Sequence, residues 1–183
     1  MLPRYDTVVG GIAIGPTVER QMRPCNGRVS TAGYEAASGS PVAMEPAYLP
    51  AGTVRAELTM GRGVVLCDGE PIAAWADYTI PVDLDAFRQV VSGEKTWFEV
   101  QHGGFITIGR FYGEPAIQNG IIATERWKVV DFLDGTAVAG GPVIEAGWGI
   151  SAVYVYRDGV MTAVVAGDLP LHETLRIAEG LFK

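Results

Sequence analysis

From Ile150 to Tyr156, and again from Val160 to Ala166, apolar residues dominate on either side of Arg157-Asp158-Gly159. Asp-Gly supplies the positive φ angles of a tight reversal, so this pattern predicts a two-stranded hairpin. Beyond it the period changes. Leu171, Leu175, Ala178 and Leu181 or Phe182 recur at the spacing of one helical face, while His172, Glu173, Arg176 and Glu179 fall on the other. The helix is expected to begin near Pro170, because a first turn does not need the N–H that proline lacks. Glu173 suits the positive end of the helix dipole.

Upstream, Thr53–Met60, Gly63–Asp68 and Pro71–Ile80 read as three strands joined by Gly-containing turns. Asp83 then opens a short helix, LDAFRQVVSG, with Leu84, Phe87 and Val91 on one face and Gly93 as its stop. Trp97–Gln101 and Phe105–Phe111 are expected to pair across His102-Gly103-Gly104, and Glu125–Leu133 reads as a further strand. The glycines of Gly135–Gly149 leave that stretch without a clear period. Near the start, Thr7–Gly15 reads as one strand bent or bulged at Gly10-Gly11. From Pro16 to Pro50 no period holds, and Gly39–Met44 marks a boundary between a loop-rich leader with one strand, residues 1–44, and a domain over residues 45–183. Runs of strands broken by two short helices indicate an α+β fold.

Composition narrows the function more than the fold. A chain of 183 residues can bury a substantial core, and 48% hydrophobic residues with only 19% charged ones fit a β-rich interior or a surface reserved for a partner or for self-assembly. A net charge of -7 without a basic run argues against nucleic acid and against docking on anionic lipid. The apolar stretch Val8–Gly15 is far shorter than the ~20 residues a spanning helix needs, and Asp6 before it is unlike a signal peptide. The two cysteines, Cys25 and Cys67, fit no zinc, haem or redox spacing. Two readings stay open: unpaired core residues, or a disulfide that would stabilise the fold by about 4 kcal/mol and imply an oxidising compartment.

Catalytic motifs are hard to find. His102, in the turn QHGGF, would need an orienting acid such as Asp77 or Glu99 to act as a base, and reads more simply as a polar turn residue. His172 reads as a solvated helix residue. Ser38 lacks the Gly-x-Ser-x-Gly elbow, and Gly140-Gly141 lacks the lysine and spacing of a phosphate loop. Asp83, Asp85, Asp131, Asp134 and Glu114 do not form a calcium loop. No catalytic residue, metal or cofactor is therefore assigned. Trp75, Trp97, Trp127 and Trp148 are the candidates for a groove or partner surface, against the simpler reading of packing at the edge of the core.

Three segments carry a resemblance: PAYLPAG at Pro46–Gly52, FITIGRFYGEPA at Phe105–Ala116, and the run from Ala146 to Leu181. In the last, Gly167, Leu169, Glu173, Leu175, Ile177, Ala178 and Leu181 occupy a G-x-L-x-x-x-E-x-L-x-I-A-x-x-L helix pattern. Together they resemble the extracytoplasmic domains of bacterial anti-sigma factors and related lipoproteins, and are similar to the C-terminal domain of RseB-type regulators. The resemblance implies a curved antiparallel sheet with the final helix packed on it. It also implies a sensory or accessory domain outside the cytoplasm, without catalytic residues, that binds a protein partner or an apolar ligand. A membrane tether would then be supplied by sequence outside these 183 residues. The composition supports one alternative, a self-assembling structural subunit of a surface layer, filament or particle that uses the leader as a strap onto its neighbour.

Overall fold

The structure, a computed structural model, describes residues 7–10, 12–15, 23–32, 45–56, 62–96, 99–100, 103–113, 116–118, 127–141 and 149–183. The first half holds strands β1 (Thr7–Val9), β2 (Ile12–Gly15), β3 (Val29–Ala32), β4 (Val54–Arg55), β5 (Arg62–Cys67) and β6 (Glu70–Ile80), then helix α1 (Leu84–Val91). The second half holds β7 (Gly104–Tyr112), β8 (Ala116–Gln118), β9 (Lys128–Phe132), β10 (Gly135–Gly140), β11 (Ile150–Arg157), β12 (Val160–Gly167) and helix α2 (Leu171–Glu179). Nine strands form an antiparallel sheet in the order β3-β5-β6-β7-β12-β11-β10-β9, with β4 also on β6. A three-stranded sheet, β1-β2-β8, holds a parallel β2–β8 pair. The fold is α+β and dominated by antiparallel sheet.

The large sheet consists of two meanders placed side by side. Strands β5, β6 and β7 follow one another, and β9 to β12 run back from the far edge until β12 lies against β7. The β11–β12 turn places Asp158 at φ 52 and Gly159 at φ 76, both in the left-handed region that a two-residue reversal requires. Asp68 and Gly69 do the same between β5 and β6. Because side chains alternate along each strand, the sheet carries two buried faces. Ala76, Tyr78, Ile106, Ile108, Val153, Val155, Val164 and Ala166 form the first, against which Ile177 and Ala178 of α2 pack. Ala152, Tyr154, Met161, Ala163 and Val138 form the second, together with Ile12 of β2 and Trp127.

Four expectations need correction. The segment Phe105–Phe111 does not pair with residues 97–101: β7 has β6 on one edge and β12 on the other, and a strand has only two edges. Glu99, within the expected partner strand, lies in a short 3₁₀ turn. The Thr7–Gly15 segment is two strands rather than one, because Gly10 (φ 56) reverses the chain and Val9 faces Ile12. The leader thus holds three strands, and β3 continues the main sheet through Ala32↔Val64 to Val29↔Cys67. Finally, the deepest residues of α2 are Thr174, Ile177 and Ala178, with Leu171, Leu175, Leu181 and Phe182 partly buried around them. The expected stripe does pack on the core, but its deepest part also takes in Thr174 and Ile177, so that a hydroxyl enters the core. Thr174 Oγ1 and Ser151 Oγ are 2.5 Å apart, and Ser151 also donates to the Leu169 carbonyl at 3.1 Å, so the buried hydroxyls satisfy one another.

Of the expected strand Thr53–Met60, residues 54–55 pair with β6 and residues 57–60 lie outside the described residues. Residues 33–44, which include the proposed leader boundary and Ser38, also lie outside them. Among the described residues, no helix is long and apolar enough to cross a membrane.

Candidate functional site

Between the paired residues Ile80 and Gly104, the chain leaves the sheet and makes an arm built on α1. The neck is tight: a Cβ at Gly103 (φ 87) would meet the Ile80 carbonyl oxygen at 2.9 Å and Val82 Cγ2 at 3.0 Å. Above it, α1 supplies its own ends. Asp83 Oδ1 accepts from the Asp85 and Ala86 amides at 3.0 and 3.1 Å, which satisfies two of the donors a helix leaves open. Asp85 and Arg88 pair at 2.9 Å one turn apart. At the other end Ser92 donates to Arg88, Gly93 (φ 77) to Val90, and Glu94 and Lys95 both to the Gln89 carbonyl. Thr96 then donates from backbone and hydroxyl to Glu99 at 2.7 and 2.8 Å, and these bonds hold the Glu99 carboxyl below its ordinary range.

Four apolar residues described in this arm are exposed. Leu84 is 66% exposed, Phe87 44%, Val91 73% and Val82 52%. None of the α1 residues is buried. The sequence pattern put Leu84, Phe87 and Val91 on one face of the helix, and that face is exposed. An exposed cluster of this kind normally marks an interaction surface. Caps at both ends and an Asp–Arg pair support the helix locally.

The remaining candidates are scattered. Trp75 is partly buried on the second face of the sheet, where its ring fills the space that a Cβ at Gly63 would take. Trp127 is buried on the same face at the β9 end, edge-on to Tyr154 at 5.4 Å. Four strands separate β6 from β9, which at ~4.8 Å per strand is roughly 24 Å. These two tryptophans do not share a groove. Trp97, Trp148, His102 and Glu114 lie outside the described residues. Among the described residues the Trp127 indole N–H has no hydrogen-bond partner, and burial pushes the Tyr154 phenol well above its ordinary range. Both belong to the apolar cluster on the second face of the sheet.

The structure joins Cys25 to Cys67 in a disulfide, with Cα atoms 5.7 Å apart. His172 is exposed on α2, 3.6 Å from Glu173. Glu173 has stronger partners. It accepts from the Tyr48 hydroxyl at 2.5 Å and from Arg176 at 3.2 Å, and Arg176 lies 3.9 Å above the Tyr48 ring. The bond to Glu173, reinforced by burial, raises the Tyr48 pKa. With Ala47 donating to the Gly180 carbonyl at 2.8 Å, this cluster straps residues 45–52 onto α2. Its groups are spent on one another, as are those of the Ser151–Thr174 pair. Among the described residues, no set of three or more His, Cys, Asp or Glu side chains is grouped to hold a metal.

Sequence reasoning placed Leu84, Phe87 and Val91 on one helical face without giving them a role, and it passed over Val82. Pro81 and Val82 carried the missing signal, since an extended Pro-Val before an Asp cap lengthens the apolar stripe beyond the helix. No protein-family model, curated protein or solved structure matches the chain.

Proposed function

We propose that this is a non-enzymatic sensory or accessory domain of an extracytoplasmic compartment, and that it works by presenting α1 to a partner protein. The observation that carries the reading is the exposed stripe of Leu84, Phe87 and Val91 on a helix capped at both ends. Residues spaced i, i+3, i+7 are the anchors by which an amphipathic helix enters an apolar groove on another protein. Asp83 and the paired Asp85 and Arg88 lie on the same helix as the stripe, so the fitting groove is apolar with a polar rim. The Cys25–Cys67 bond supports the compartment, because disulfides persist where thiols are not kept reduced. The resemblance to anti-sigma factor ectodomains and envelope lipoproteins points the same way.

The test is a partner-binding titration with the Leu84→Gln/Val91→Gln variant beside the unaltered chain. Both substitutions keep helix propensity and remove apolar area. The reading expects folding to be unchanged and affinity for the partner to fall at least tenfold. Equal affinity would move the contact elsewhere on the molecule. A second reading, self-assembly through the leader, is favoured by β3, a leader strand that lies on the edge of the main sheet. A monomer at high concentration in size-exclusion chromatography with light scattering would dispose of it.

A further inference from the structure

Strand β3 is held to the sheet in a different way from every other strand of the main sheet's first meander. Its burial is slight: Val29 is 57% exposed, Ser30 and Thr31 are exposed, and only Ala32 is partly covered. No residue of 23–32 belongs to either core cluster. What fixes it is a ladder of four residues onto β5, an exchange between Arg28 and Asp68, and a bond from the Arg23 amide to the Tyr112 carbonyl at 2.6 Å. In that exchange Arg28 N donates to Asp68 Oδ1 at 2.8 Å and Asp68 N donates to the Arg28 carbonyl at 3.0 Å. Gly27 is needed there, because the Asp68 carboxylate occupies the space of a Cβ. Among the described residues the strongest tie is covalent, the Cys25–Cys67 bond at the end of the ladder. Beneath β3, by contrast, β5 is anchored by Val64 at 1% exposure and by Leu66 against the core.

We propose that the Cys25–Cys67 disulfide is a redox latch on the edge of the main sheet, whose reduction releases residues 23–32 and uncovers the outer edge of β5. The latch is independent of the role assigned to α1. The reductant is a dithiol. Its thiolate attacks one sulfur of the bond and expels the other cysteine as a thiolate; its second thiolate then attacks the reagent's own sulfur in the mixed disulfide, expels the first cysteine, and the reagent leaves as a cyclic disulfide. The two electrons and two protons it supplies leave Cys25 and Cys67 as thiols. Both half-cystines are partly exposed, so the bond is accessible to such a reagent. Once it is open, the solvated ladder of β3 is comparable to a fraying edge and opens locally without the rest of the sheet. The uncovered stretch, Val64-Val65-Leu66-Cys67, is apolar and would offer unpaired N–H and C=O groups, the features of a strand-accepting edge.

The test is hydrogen exchange of the full chain with and without a small dithiol, with thiol titration to confirm two cysteines reduced. The latch predicts that exchange of the β3 and β5 peptides rises by about tenfold or more on reduction, while β11 and β12 keep their protection. Cys25→Ser/Cys67→Ser should show the fast exchange without reductant and should not respond to it. Unchanged exchange of β5 after complete reduction would overturn the proposal. So would loss of protection across β11 and β12 as well, because the bond would then be a staple of the whole domain.

Discussion

Helices α1 and α2 are both short, both amphipathic, and both begin just after a strand and close near a glycine. Their sequences differ little in kind, but the deepest residues of one stripe are buried while Leu84, Phe87 and Val91 of the other are exposed. On α2, Ile177 is 0% exposed and packs with Val153, Val164 and Ala166. On α1 the equivalent apolar residues face water. The ends differ in the opposite sense. Asp83 caps α1 with two hydrogen bonds, while Pro170 at the start of α2 makes no side-chain cap. A helix that the core holds does not need caps, and one held only by local interactions does. The difference teaches that periodicity reports a stripe and says nothing of what covers it.

The sharpest way to break this comparison is to truncate the buried stripe. Ile177→Ala should cost about 2–5 kcal/mol in urea denaturation, the range for deleting a buried aliphatic chain; a loss below 1 kcal/mol would mean α2 is loosely packed. Next is the hydroxyl pair beneath α2. Thr174→Val keeps the shape and removes the partner of Ser151, and about 1–2 kcal/mol should be lost. Full stability in that variant would show that the Leu169 carbonyl alone satisfies Ser151. On α1 the corresponding weak point is the cap. Asp83→Ala should weaken the helix by about 1 kcal/mol and speed amide exchange in residues 84–91 roughly fivefold, leaving the global midpoint in place.

The smallest effect concerns the strap on α2. The Tyr48 pKa is raised in the folded state, so the unfolded chain releases this proton first as pH rises. The contribution of the bond to Glu173 is complete below the ordinary tyrosine value, about pH 10. It is lost as pH climbs through the higher folded value. Tyr48→Phe should flatten this alkaline decline in the denaturation midpoint; an identical decline in both proteins would assign it to other groups.

How much was legible in the sequence follows from how local each feature is. The β11–β12 hairpin was legible because Asp158-Gly159 encodes its own turn, and the bounds of α1 because Asp83 and Gly93 are local stop signals. The partners of β7 were not, since the choice of β6 and β12 over the adjacent residues 97–101 is decided by the rest of the sheet. The Cys25–Cys67 pairing stayed open for a similar reason. It depends on β3 and β5 meeting in space across 42 residues of sequence. Trp75 and Trp127 could be named as large apolar groups, but their separation on the sheet follows from strand order. In α1 the residues of the candidate site were all legible, and only their exposure was not. Exposure is set by what packs opposite, which no window of sequence contains.

The central claim is that Leu84 and Val91 of α1 are displayed and that stability does not rest on them. Urea denaturation of Leu84→Gln/Val91→Gln beside Ile177→Ala tests it directly. The account predicts a midpoint for the α1 variant equivalent to within about 0.5 kcal/mol of the unaltered chain, as for surface substitutions generally, while Ile177→Ala falls by several times that. A loss of 2 kcal/mol or more in the α1 variant would mean that Leu84 and Val91 are part of the core, and would contradict the account.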